Sequence, residues 1–235
     1  MDKLPWKKAL FFSPHTDDAE FGAGGLIARL VEQGDCEVNV FAFSDCGGSI
    51  PPWMGQNILV EEFKASMKVL GVSLSSVGNN CVRTFPEQRQ DILERMIRMK
   101  GFIKPDLVVC PSRWDIHQDH GVIHREAKRA FKNCTVLGYD IPWNCVGFAG
   151  ACFIEHSEAH HAAKLAALSC YSSQKTLGRS YADEGVINGL AQMAATQAGV
   201  DYAERFEVIR LMVLGEVASV HKELDAQKLR KELDG

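Results

Sequence analysis

The sequence predicts one α/β domain with a mostly parallel sheet flanked by helices. Three observations carry this reading. Short apolar runs without polar alternation, such as KALFFS at 8–13 and LVVC at 107–110, suit central strands covered on both faces. Segments with helical periodicity separate these runs, the pattern of parallel strands joined by helical crossovers. No repeat, low-complexity tract or linker divides residues 1–235, so the chain is read as a single domain.

Lys8–Ser13 is the first predicted strand. Glu20–Gln33 is predicted as a helix, with Leu26, Ile27, Leu30 and Val31 on one face and Gly34 as its stop. Glu37–Ser44 follows as a strand. Asp45–Gln56, rich in glycine and proline, is a loop placed to cover a site or simply to connect. Asn57–Leu70 is a helix with Ile58, Phe63, Met67 and Leu70 as its buried stripe, and a poorly patterned stretch follows it. Glu87–Phe102 is a helix ended by Lys104-Pro105-Asp106, and Leu107–Cys110 is a strand. Gly121–Phe131 and Ser157–Cys170 read as helices, with Val136–Tyr139 and the segment 148–154 as strands. Residues 171–189 are expected to be loop in part. Phe206–Val213 is the last strand, and the charged tail from His221 is an exposed or fraying helix. Together these elements make a Rossmann-like arrangement.

Composition narrows the function classes. A net charge of −4 gives no reason to expect nucleic acid or an anionic membrane as partner. Hydrophobic runs fall short of the roughly 20 residues of a membrane helix. The start, MDKLPWKK, lacks the apolar core of an export signal. Eight cysteines without a CxxC pair read as reduced thiols, so a cytoplasmic location is expected.

Ligands of such sheets sit beyond the carboxyl ends of the strands. Two polar clusters fall there. His15, Asp17 and Asp18 follow the first strand; Asp115, His117, Asp119 and His120 follow LVVC. Imidazoles and carboxylates without cysteine suit a catalytic divalent metal with an open coordination position, whereas a structural zinc site closes four ligands. Of two adjacent aspartates, one can bind the ion while the other faces a water and takes its proton. Of His117 and His120, one can bind the ion and the other can stabilise an oxyanion or donate to a leaving amine.

PHTDDAE followed by GAGG, and DIHQDH later in the chain, resemble the LmbE/PIG-L-like family of zinc-dependent de-N-acetylases. VEEFKASMKVLGV (60–72), KLAALSCYSSQ (164–174) and GVDYAERF (199–206) resemble further family segments. The resemblance implies His15, Asp18 and His120 as zinc ligands, with Fe²⁺ or another divalent ion as a substitute, and Asp17 as general base. It implies that His117 steadies the oxyanion and helps protonate the amine, and that Asp119 orients a neighbouring histidine. The implied reaction removes an N-acetyl group from an amino sugar or glucosaminyl conjugate, and the implied assembly is a homo-oligomer. Two positions depart from the family pattern. Thr16 replaces a proline, and Leu59 stands where many members carry a substrate-binding arginine. Arg83 and Arg113 are candidates to replace that arginine.

Plainer readings exist. Asp17 and Asp18 could cap a helix, and Asp119 could be an N-cap. Glu20 reads as structural, and the GAGG glycines do not make a dinucleotide fingerprint. His124, His156, His160, His161 and His221 read as surface or helix-face residues. Among rival functions, H-x-D with a distant histidine also fits an iron(II) facial-triad oxygenase, but those sites usually occupy all-β folds. A non-catalytic metal- or sugar-binding module is the other alternative.

Overall fold

The computed structural model describes residues 1–147 and 149–213. The expected strand at 148–154 lies partly outside these, and the charged tail with His221 lies wholly outside.

Seven strands form one sheet in the order β3-β2-β1-β4-β5-β7-β6. They are β1 (Lys8–Ser13), β2 (Glu37–Ala42), β3 (Leu74–Val77), β4 (Leu107–Pro111), β5 (Thr135–Tyr139), β6 (Cys152–Glu155) and β7 (Ala203–Arg210). The first five in spatial order are parallel; β7 runs antiparallel to both β5 and β6. The helices are α1 (Asp18–Gln33), α2 (Ile58–Leu70), α3 (Arg89–Ile103), α4 (Gln118–Ala130), α5 (Glu158–Ser169), α6 (Ser172–Thr176) and α7 (Glu184–Ala198). No helix among the described residues is long and apolar enough to cross a membrane. All eight cysteines are free thiols.

The two-sided burial expected of β1 is real. Ala9 and Phe11 point into a core shared with Leu26, Ile27 and Leu30 of α1 and Phe63 and Met67 of α2. Leu10 and Phe12 point the other way, against Ile92 and Met96 of α3 and Val122 and Ile123 of α4. Burying side chains of this size stabilises by about 1.5–3 kcal/mol each, which explains why these strands read as unbroken apolar runs. On α2 the buried stripe begins at Leu59, and Ile58 is only half-buried.

Two elements escape the sequence pattern. The strand β3 is a four-residue edge strand, LSSV, whose Leu74 is exposed. The helix α7 buries Ile187, Ala191, Ala194 and Ala195, a stripe too small to register as a hydrophobic face. Asp183 starts this helix by accepting the Gly185 amide at 2.8 Å, and Gly199 ends it in the left-handed region. The segment 171–189 is therefore more helical than its polarity suggests.

The GAGG segment lies inside α1, at a kink where Ala23 leaves helical geometry (φ −149°, ψ 20°). The kink exposes the amides of Gly25 and Leu26, and both donate at 2.8 Å to the buried Glu204 carboxylate from β7. Lys164 of α5 donates to the freed Phe21 carbonyl and to Glu204, each at 2.7 Å. A Cβ at Gly22 would lie 2.3 Å from the Tyr139 ring, and one at Gly24 2.8 Å from Lys164. Glycine is required there by close packing.

Candidate active site

The order β2-β1-β4-β5 places the topological switch between β1 and β4. The crossover from β1 through α1 leaves toward β2, and the crossover from β4 through α4 leaves toward β5, so a crevice opens at their carboxyl ends. His15, Asp17 and Asp18 enter it from β1; Asp115, His117, Asp119 and His120 enter from β4.

Three atoms form a tight triangle. His15 Nδ1 lies 3.1 Å from His120 Nε2 and 3.2 Å from Asp18 Oδ2, and His120 Nε2 lies 3.3 Å from Asp18 Oδ2. His15, His117 and His120 also offer nitrogens within 4.8 Å of one another, a group able to hold a metal ion.

Each imidazole is held from behind. His120 Nδ1 meets Asp115 Oδ2 at 2.6 Å, and His15 Nε2 meets Asp119 Oδ2 at 3.1 Å. Asp119 is itself fixed by the amides of Arg83 (2.6 Å) and Phe85 (3.2 Å). Asp119 therefore contacts the distant His15 with its carboxylate, and it is not the N-cap of α4. That position belongs to His117, whose Nδ1 accepts the Asp119 amide at 3.2 Å. Asp17 occupies the N-cap position of α1 without a side-chain capping bond, so helix capping does not account for it. The Asp18 carboxylate accepts the His15 amide at 2.8 Å.

Electrostatics follow from this packing. Burial opposes charge on His120, but the Asp18 and Asp115 carboxylates overcome it and push its pKa up to about 10. Burial likewise opposes charge on His15, and Asp18 and Asp119 raise it. Asp18 is driven well below the usual carboxylate range; burial pushes it up, and His120 and His15 more than reverse this. Asp17 moves the other way, up to about 6, through burial and the neighbouring Asp18 charge. His117 is lowered by burial and then by the nearby imidazoles. Glu20 is structural in place: its Oε1 accepts from Tyr171 (2.6 Å) and Ser66 (2.7 Å), and burial lifts it to about 8.

The histidines face a cleft of about 340 Å³, also lined by Phe21, Leu59, Trp143, Gln174, Arg83 and Arg179. Cys46 and Ser49 bring part of the 45–56 loop to its edge. Sequence reasoning assigned no role to Asp115, although its position in the DIHQDH motif was a signal. Arg179 went unnoticed because it falls in a polar segment without periodicity. Of the two candidate replacements for the arginine missing at Leu59, Arg83 lines the cleft. Arg113 is bound to Glu207 through its side chain and, at 2.8 Å, its amide. His124 of α4 and His160 and His161 of α5 are helix residues on buried faces, and His156, between β6 and α5, is also buried; none is a surface residue.

Comparison with known proteins agrees with this geometry. The sequence pattern of the PIG-L family, GlcNAc-PI de-N-acetylase, matches residues 10–131, just over half of the chain and including both polar clusters. The fold is similar to that of N,N'-diacetylchitobiose deacetylase from Pyrococcus horikoshii, with TM-score 0.69, 19% identity, and coverage of 87% of this chain and 84% of that one. It is similar to the zinc-inhibited form of the teicoplanin deacetylase Orf2, with TM-score 0.69, 20% identity, and coverage of 85% and 96%. It is equally similar to GalB, the 4-carboxy-2-hydroxymuconate hydratase of Pseudomonas putida, with TM-score 0.69, 20% identity, and coverage of 89% and 99%. At these identities the likeness shows the fold, a seven-stranded, mostly parallel sheet flanked by helices, and one such fold carries both deacetylases and a hydratase. The match over both motifs decides membership: the chain belongs to the PIG-L family of GlcNAc-PI de-N-acetylases.

Proposed function

We propose that this chain is a metal-dependent N-deacetylase that hydrolyses the acetamide of an amino sugar or glucosaminyl conjugate, with zinc as its ion. The observation that carries this reading is the triangle of His15 Nδ1, His120 Nε2 and Asp18 Oδ2. Tetrahedral zinc bonds of about 2.0–2.1 Å put ligand atoms roughly 3.3 Å apart, the spacing these three already have. Two imidazole nitrogens and a carboxylate oxygen facing one point suit a shared divalent cation. Asp115 and Asp119, behind the two rings, hold their orientation and raise their basicity. His117 is the less suitable third ligand, because its Nδ1 already accepts the Asp119 amide.

When bound, the ion supplies a Lewis acid that polarises the acetyl carbonyl and acidifies water. Asp17, uncommitted to capping and facing the cleft, takes the proton of the attacking water. With Nδ1 of His117 acting as acceptor, its proton resides on Nε2, and the ring donates to the developing oxyanion. The amide C–N bond then breaks, and the proton held by Asp17 passes to the leaving amine, giving free amine and acetate. The neutral His117 acts as a hydrogen-bond donor, and proton delivery to the amine falls to Asp17. The site is open to one side, with Trp143 and Phe21 packed edge-on at 5.1 Å on its wall, an apolar surface for a sugar face.

The test is a panel of N-acetylated sugars and conjugates, read by acetate release, with the metal quantified in the purified protein. Turnover should be abolished by chelation and restored by zinc. A chain that holds no divalent ion, or turnover indifferent to chelation, overturns the reading.

A further inference from the structure

The charged lining of the cleft is unevenly divided. Asp17 and Asp18 are its only carboxylates among the described residues, and both lie at the metal-binding corner. A divalent ion would be balanced by these two. The remaining charged side chains in the lining are two guanidinium groups, Arg83 and Arg179; the buried Asp115 and Asp119 carboxylates are engaged by His120 and His15 behind the metal-binding corner.

The Arg179 guanidinium and the Arg83 backbone are held by the surrounding structure. Glu62, buried on α2, accepts the Ser173 amide at 2.8 Å and the Ser172 hydroxyl at 2.9 Å, which fixes the start of α6. The Ser173 hydroxyl donates to the other Glu62 oxygen and accepts from Gln174 Nε2 at 3.0 Å. Gln174 Oε1 in turn accepts from Arg179 Nη1. The Arg179 charge reaches Asp17, where it opposes the upward push of burial and Asp18. Arg83 stands in the left-handed region at φ 70°, a costly conformation for a side chain of this size. Its amide is thereby aimed at Asp119, and the residue lines the cleft. Leu59 offers the cleft no charge in compensation.

We propose that Arg83 and Arg179 form an anion subsite, and that the substrate is an N-acyl compound bearing a carboxylate or phosphate beside the reacting amide. A guanidinium fork matches either group with paired hydrogen bonds. The acyl-amide half of this statement rests on the deacetylase reading; the anion subsite does not.

The experiment is isothermal titration of the zinc-loaded full chain with N-acetylglucosamine, its 1- and 6-phosphates and its 6-carboxylate (the uronic acid), with inorganic phosphate as control. At least one anionic sugar should bind about tenfold or more tightly than the neutral sugar, the gain expected of a charge-assisted contact. The phosphate and carboxylate arms decide which anion is preferred. R83Q and R179Q should each reduce the preference, R179K should keep part of it, and all three should retain the zinc content of the parent. Equal affinity for neutral and anionic sugars overturns the proposal, as does a preference that survives in both glutamine variants. Acetate release is measured in parallel. An anion preference without hydrolysis of any compound would sink the deacetylase reading and leave the subsite standing; hydrolysis without the preference would do the reverse.

Discussion

His15 and Asp119 are separated by 104 positions in the chain, yet His15 Nε2 meets Asp119 Oδ2 at 3.1 Å. The carboxylate is fully buried and locked by two backbone amides, and it stays ionised because the His15 contact and the Arg83 amide outweigh the burial that pushes it up. This bond presents the opposite ring nitrogen, Nδ1, to Asp18 and His120. D119N keeps the shape and removes the charge. It should weaken metal binding by about 10–100-fold, measured by competition with a chromophoric chelator. Unchanged metal affinity would show that Asp119 does not position His15.

The Asp17 carboxylate makes no capping bond and faces the cleft. D17N should lower kcat by about 10²–10⁴, the usual contribution of a general base, while bound zinc stays near the parent level. Single-turnover acetate release with parallel metal analysis separates these effects. Loss of metal together with activity would make Asp17 a ligand in place of Asp18.

The Lys164–Glu204 pair is buried at both ends and closes at 2.7 Å. Glu204 remains an anion despite burial because Lys164 lies against it, and two α1 amides depend on it. K164M leaves that charge uncompensated, so it should cost about 3–5 kcal/mol in denaturant unfolding. K164M combined with E204Q should recover part of this loss. A K164M cost within experimental error of zero would remove the pair from the architecture of the α1 kink.

His156 is buried, and neither ring nitrogen has a hydrogen-bond partner among the described residues; Glu204, Lys164, His161 and His160 face it. Burial is the main cause that holds its pKa down at about 4. The unfolded chain, titrating near 6.5, therefore binds more protons than the folded chain between these values. Stability is fully present above pH 6.5 and falls as pH drops toward 4, by an amount on the order of 2–3 kcal/mol. Melting temperatures across this range should fall for the parent and fall less for H156F. Identical pH profiles would assign the acid sensitivity to other groups.

Much of the fold was legible because both core faces of the sheet are built from large apolar residues at regular spacing. The runs at β1, β4 and β5 and the faces of α1, α2 and α3 announce themselves. The edge strand β3 and the helix α7 do not, since one is short and half-exposed and the other packs through alanines. The two polar clusters were legible for a different reason. Seven acids and imidazoles placed just after two apolar strands have no packing explanation. The partners of those residues were less so. Asp119 could not be assigned to His15, nor Asp115 to His120, from spacing, because hydrogen-bond partners depend on ring orientation.

Sequence alone determined the class of the sheet, the strand ends that carry chemistry and the donor types gathered there. These follow from local periodicity and residue chemistry. Tertiary structure alone decided that β1 and β4 are neighbours with diverging crossovers, and so that His15, Asp18 and His120 meet. It also decided that Arg179, from a segment with no pattern, shares the cleft with them. Contacts between residues far apart in the chain are set by how whole elements pack, and local pattern does not encode that.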